Sequence, residues 1–199
     1  ESRPFNILAD DALQGGLKST FNYSIEKWNL RIGIEMMTEK YNWQVYETNN
    51  GIEEALVNSF IEIRDPVNLF VLGAYTFING GIIEAGLSYN FMNYNISDHI
   101  SDSLDHSDKY RYEPVFSPYL GINYPLGDRL RMYASVSHGF SYPGVEETLL
   151  PEGHANPDLK PESGMNLELG TRLSARNGKI FADLNGYLLF VKDLLITER

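Results

Sequence analysis

Phe116-Ser117-Pro118-Tyr119-Leu120-Gly121-Ile122-Asn123-Tyr124, then the turn Pro125-Leu126-Gly127-Asp128, then Leu130-Arg131-Met132-Tyr133-Ala134-Ser135-Val136-Ser137-His138-Gly139-Phe140 decide the fold. On the first run Phe116, Pro118, Leu120, Ile122 and Tyr124 share one face, and Ser117, Tyr119, Gly121 and Asn123 share the other. On the second, Leu130, Met132, Ala134, Val136 and Phe140 oppose Arg131, Tyr133, Ser135, Ser137 and Gly139. Strict alternation over this length is the mark of two strands of a sheet with one oily side.

The same alternation extends outward. Eight candidate strands are expected at about 16–26, 28–39, 66–78, 82–94, 115–125, 129–140, 164–174 and 179–191. Their oily rows are Leu17, Phe21, Tyr23 and Ile25; Trp28, Leu30, Ile32, Ile34 and Met36; Ile83, Ala85, Leu87, Tyr89 and Phe91; and Met165, Leu167, Leu169 and Leu173. Opposite them stand Lys18, Thr20, Asn22, Arg31, Glu35, Glu84, Ser88, Asn90, Asn166, Glu168 and Arg172. The run 66–78 is apolar on both faces, and Leu69, Val71, Tyr75 and Phe77 are expected on the oily side.

Connections alternate in length. Short ones fall at 26–27, 79–81, 125–128 and 175–178, where Asn-Gly and Gly-Gly supply the positive φ that tight hairpins need. Long polar ones are expected at about 40–65, 95–114 and 141–163. In an antiparallel meander every short turn then lies at one end and every long loop at the other, as in transmembrane barrels with short periplasmic turns and long extracellular loops. Within the first long loop, Ile52, Ala55, Leu56, Ser59, Phe60 and Ile63 follow helical spacing; 52–63 reads as a short helix or as a strand extension, and both stay open. Trp28, Phe77, Tyr124 and Phe181 flank the short turns, and Trp43, Phe91, Tyr94, Tyr112, Phe140 and Phe190 the long loops, as two interfacial girdles would.

Composition bounds the rest. The 199 residues show no linker or composition shift that divides them into domains. With 13 Tyr and 17 Gly, and a mean hydropathy of −0.28, the chain is rich in strand formers yet polar on average. No apolar run reaches the ~18–20 residues of a membrane helix, whereas a membrane strand needs only ~9–11. The absence of Cys removes disulfides and thiolate metal sites. A net charge of −11 argues against nucleic acid as a partner.

The two quoted strands, followed by Asn156-Pro157-Asp158-Leu159-Lys160-Pro161-Glu162, by Leu167-Glu168-Leu169-Gly170 and by Val191-Lys192-Asp193-Leu194-Leu195, resemble the C-terminal half of TonB-dependent outer-membrane receptors. The resemblance covers residues 116–195 most strongly. It implies an all-β antiparallel meander of about eight transmembrane strands, part of a plugged barrel of about 22 strands. It also implies active uptake of an iron chelate, a ferric siderophore with haem as the alternative, energised through TonB. The partners implied are that chelate, outer-membrane lipid, and TonB acting through a plug region that this sequence lacks. No cofactor and no enzymatic activity are expected. His138 stands where the family commonly has Arg, and the chain, beginning at Glu1 and stopping at Arg199, reads as residues 1–199 of a larger barrel domain.

Candidate ligand residues are His154, Tyr142, Arg111, Tyr112 and His138. Haem receptors of the family carry a ligating His between boxes corresponding to 140–143 and 156–159, and His154 lies there; a neutral imidazole suits haem iron. The stretch Asn156, Pro157, Asp158, Leu159, Lys160, Pro161, Glu162 reads as structural, because its prolines hold the chain extended as it re-enters the sheet. Asp98, His99, Asp102, Asp105, His106 and Asp108 make a weak Ca²⁺ candidate that reads better as a solvated acidic loop. Ser137 and His138, being strand neighbours, point to opposite faces and cannot form a nucleophile–base pair. A soluble β-sandwich binding module remains the alternative if the oily faces pack on each other.

Overall fold

The computed structural model describes residues 7–100, 107–144, 159–175 and 178–194. Nine strands form one antiparallel sheet: β1 (Ile7–Ile25), β2 (Trp28–Asn49), β3 (Ile52–Thr76), β4 (Ile82–Asp98), β5 (Asp108–Arg111), β6 (Val115–Pro125), β7 (Leu130–Ser141), β8 (Glu162–Ala175) and β9 (Ile180–Lys192). Strands pair in chain order, except that β5 pairs only with β4, and β4 passes on to β6. The outer edges of β1 and β9 do not pair with each other, so the sheet is open. Among the described residues there is no second sheet for a sandwich. No helix of the described residues is long and apolar enough to cross a membrane, which says nothing of strands.

The eight expected strands are all present, and four of them differ from expectation by no more than two residues at either end. The first four are the ones that extend, most of all β1, β2 and β3. The stretch 40–65 is not a loop: β2 runs on to Asn49, turns at Asn50-Gly51, and returns as β3 from Ile52. Asn50 (φ 52°) and Gly51 (φ 81°) both take positive φ, the geometry of a tight two-residue hairpin. The segment 52–63 is therefore strand, and its helical spacing is overridden by pairing with β2 and β4. The second long connection also shortens, because β4 runs to Asp98 and β5 folds back onto it.

Register joins the oily rows across strands. Phe21 meets Ile32, which meets Val71, which meets Leu87; Ile83 meets Ile122, which meets Ala134, which meets Leu169. Leu69, Val71 and Tyr75 sit in these rows as expected. The belt is exposed: Leu17, Phe21, Ile32, Val71, Leu120, Leu169 and Leu188 all show large apolar surface. On β2 it runs from Trp28 to Met36, close to the length of a membrane strand, ~9–11 residues. Aromatics border it. At the short-turn end Trp28–Tyr75 (4.7 Å), Tyr75–Phe77 (5.1 Å) and Phe77–Tyr124 (6.4 Å) form a chain of rings; at the other end Tyr89 stands 5.7 Å from Phe91 and 4.8 Å from Phe116.

Four girdle assignments are corrected by register. Phe181 pairs with Ser174 on the polar face, 5.9 Å beneath the Arg172 guanidinium. Trp43, Tyr94 and Tyr112 likewise turn to the polar side, where they join a buried cluster. The belt ends where the β2–β3 ladder lapses. Met36 pairs with Val67, pairing resumes at Glu39 with Arg64, and between them Pro66 has no N–H to donate. There the Thr38 hydroxyl donates to the Asp65 carboxylate at 2.8 Å instead. Beyond this point the oily rows give way to Lys40, Asn42, Asn93 and Asn95.

Candidate functional site

Within the belt, the polar face is laced by cross-strand rungs. Lys18 reaches Glu35 (3.3 Å), Arg31 donates to Asn22 (2.7 Å), Arg131 to Asn123 (2.8 Å), Tyr133 and Arg172 to Asp183 (each 2.9 Å), and Asn185 to Glu168 (2.9 Å). These side chains are wet, so each rung fixes register more than it adds stability. They make a hydrophilic wall.

Above the belt the same face becomes the core of the described molecule. On β3 Phe60, Glu62 and Arg64 are buried in alternation, and on β4 Asn90, Met92, Tyr94 and Ile96 are. Register lays Arg64 beside Tyr94 and Glu62 beside Ile96. Tyr112 completes the apolar cluster of Phe60, Met92, Tyr94 and Ile96, with Trp43, Tyr110, Tyr142 and Leu159 packed against it. Trp43 stacks on Phe60 at 4.6 Å, Tyr94 lies 4.8 Å from Tyr110, and Tyr112 lies 5.4 Å from Tyr142. The seam is aromatic because four elements converge there: the upper hairpin, β4, β5 folded back, and the segment that leaves β7.

Two charged residues are set inside it. Glu62 is 0% exposed; its Oε1 accepts from Trp43 Nε1 at 2.9 Å, it also bonds Tyr94, and its Oε2 has no partner. Burial is the largest influence and raises the carboxyl pKa above its ordinary value, against the opposing pull of Tyr94, Trp43 and Arg64. Arg64, 7% exposed, donates through Nη2 to the Pro143 carbonyl, lies 6.0 Å over the Tyr94 ring, and leaves Nε without a partner. The Tyr110 hydroxyl lies 2.9 Å from that of Tyr112, and burial with that contact raises its pKa far above a free phenol. The seam offers flat aromatic surface, one guanidinium and one carboxyl held toward its neutral form.

The expected site residues divide. Tyr112 and Tyr142 are in the cluster. Arg111 is not: it alternates with Tyr110 and Tyr112, so it lies on the opposite face, donating to Asn93 at 2.8 Å with its guanidinium 5.8 Å from the Phe91 ring. His138 registers with Met165, its Nδ1 3.3 Å from Ser117 Oγ, and is not brought to the cluster. His154 lies outside the described residues, as do Asn156, Pro157 and Asp158. Of that stretch, Leu159 packs on the cluster, Pro161 is buried and Glu162 opens β8, while Lys160 is exposed.

Asp98 and Asp108 each spend a carboxylate oxygen on a backbone N–H, of Ile100 and Lys109 respectively, while Asp102, Asp105 and His106 lie outside the described residues. Among the described residues no group of three or more His, Asp or Glu could hold a metal. Missed by the sequence reading were Trp43 as a site residue, Phe60, Glu62, Arg64, Tyr94 and Tyr110. The run Phe60-Ile61-Glu62-Ile63-Arg64 alternates apolar and charged types, a strand signal that the helical spacing of 52–63 obscured.

Residues 4–199 match the family model described as TonB dependent receptor-like, beta-barrel. Over 84 residues the chain is 33% identical to the ferric-pyoverdine BN7/BN8 receptor of Pseudomonas putida, a stretch that is 42% of this chain and 10% of that protein. In fold it is similar to the ferric yersiniabactin uptake receptor FyuA from Yersinia pestis, with TM-score 0.77 and 13% identity over 95% of this chain and 30% of that one. It is also similar to the copper transporter OprC, with TM-score 0.72 and 15% identity over 95% of this chain and 31% of that one. The chain thus spans about a third of the length of these structures.

Proposed function

We propose, since the chain belongs to the TonB-dependent receptor-like β-barrel family, that it is a stretch of barrel wall in an outer-membrane receptor that takes up a ferric siderophore. The belt of 28–36 and its neighbours faces lipid, the polar rungs face the lumen, and the upper hairpin stands on the cell exterior. The aromatic seam over Glu62 and Arg64 is the part that meets the chelate. One observation carries this reading: above the belt, the lumenal face is packed with aromatic rings around a buried Arg. Flat rings and a guanidinium suit a chelate with conjugated arms and peripheral negative charge, which Arg binds through paired hydrogen bonds. Uptake would draw its energy through TonB, contacted by a part of the receptor beyond this chain.

The test is growth on scarce iron. A deletion strain carrying the full-length receptor should be rescued by at least one ferric siderophore, only while TonB is present, and Trp43→Ala should weaken that rescue. Rescue by haem alone, by copper chelates alone, or by no metal source would overturn the siderophore reading. Haem is retained only as an arm of this panel, since its support in the sequence, His154, lies outside the described residues.

A further inference from the structure

Opposite the aromatic seam, on the other face of the same strands, the belt ends in cations. Lys40 on β2 registers with Ile63 on β3, Ile63 with Asn95 on β4, and Asn95 with Lys109 on β5, making one continuous row. In the row below, Asp65 registers with Asn93 and Asn93 with Arg111. Tyr110 and Tyr112 turn inward to the seam, so Lys109 and Arg111 turn outward, and all three cations are exposed. Arg111 is braced by Asn93 through Nε at 2.8 Å and lies 5.8 Å from the ring of Phe91, the last aromatic of the belt. The carboxylate of these rows, Asp65, is engaged by Thr38, and Asp11 lies one row higher opposite Asn42.

In a chain of net charge −11, three cations and three asparagines gathered at the upper rim of an apolar belt are not a random surface. Long basic side chains at such a rim keep their stems over apolar surface and their charge at headgroup level. We propose that Lys40, Lys109 and Arg111 form a docking site for the phosphate groups of the lipid that surrounds the barrel. Lys40 and Lys109 stand three strand spacings apart, roughly 14 Å, too far to share one phosphate. The site therefore engages a headgroup carrying two phosphates, or two neighbouring lipids. It requires the membrane belt but not the cargo proposed above, and a receptor that transported no iron chelate would still hold the lipid.

The experiment is native mass spectrometry of the full-length receptor released from detergent. It is titrated with a bis-phosphorylated diglucosamine glycolipid, with the same lipid dephosphorylated, and with phosphatidylcholine. Replacing Lys40, Lys109 and Arg111 together by Gln should weaken binding of the phosphorylated lipid by about tenfold or more, since each basic residue at a charged headgroup surface contributes measurably. Raising the salt concentration should weaken wild-type binding in the same direction. A control that removes the same charge from the opposite face, Lys18→Gln with Arg31→Gln and Arg172→Gln, should bind like wild type. Lys109→Gln alone, at an exposed position, should give a smaller loss and keeps the test decisive if the triple variant does not fold. Equal loss in the control would reduce the effect to net charge. Equal binding of the dephosphorylated lipid would assign it to the acyl chains. Either result overturns the proposal.

Discussion

At the scale of single residues, the buried Glu62 carboxyl is the most informative group. Its folded pKa stands above the ordinary value of 4.5 because desolvation outweighs its hydrogen bonds and the nearby Arg64. Below pH 4.5 the group is protonated folded or unfolded and costs nothing. As the pH climbs through the raised pKa the folded state must either hold a proton or bury a charge, so stability falls. Glu62→Gln should flatten that decline, measured as the melting temperature of the purified receptor between mildly acid and neutral pH. An unchanged slope would mean that Glu62 ionises freely in the fold. A second residue-scale case is Gly170, where an added Cβ would collide with the Tyr133 ring that lies across it. Gly170→Ala should push the ring off, break the Tyr133–Asp183 hydrogen bond of 2.9 Å, and cost about 1 kcal/mol. In Tyr133→Ser, which has no ring to displace, the same Ala should cost little, and a double-mutant cycle by denaturant titration reads the difference.

At the scale of elements, the β2–β3 hairpin rises past the belt on a ladder that pauses at Pro66 and turns at Asn50-Gly51. The turn depends on positive φ, which a β-branched residue resists. Gly51→Val should destabilise the tip by roughly 1–3 kcal/mol. Limited proteolysis would report it as faster cleavage within 45–57, with cleavage in the belt strands unchanged. Cleavage at an unchanged rate would show that the tip is held by something other than its turn. Asn50-Gly51 was a legible hairpin signal, yet the charged residues and helical spacing around it mask it. Pairing with β2 through the hairpin and with β4 from Phe60 onward decides the matter, and the β4 partners are distant in sequence.

At the scale of the whole molecule, an open sheet with an oily face cannot be content in water. Leu17, Phe21, Ile32, Val71, Leu120, Leu169 and Leu188 present one apolar surface, and the edges of β1 and β9 offer unpaired backbone groups. The 199 residues expressed alone should self-associate or require detergent. Light scattering from a detergent-free sample would test this, and a clean monomer with one sharp unfolding transition would contradict it.

The alternation of Leu120, Ile122 and Val136 against Tyr119, Asn123 and Ser135 sufficed for strands, faces and meander order, because a period of two is a local property of the chain. The tight turns at Lys27 and Gly80 were legible for the same reason. What surrounds Glu62 was not. Trp43, Phe60, Tyr94 and Tyr112 come from three strands and a connecting segment, and Tyr142 from beyond β7. Nothing in the local pattern says that they meet. Nor could it place Arg111, whose face is set only when β5 folds back on β4 with Tyr110 against Tyr94. Alternation says that two faces exist. Register between distant strands decides which residues share one, and so which side holds the rings and which the cations.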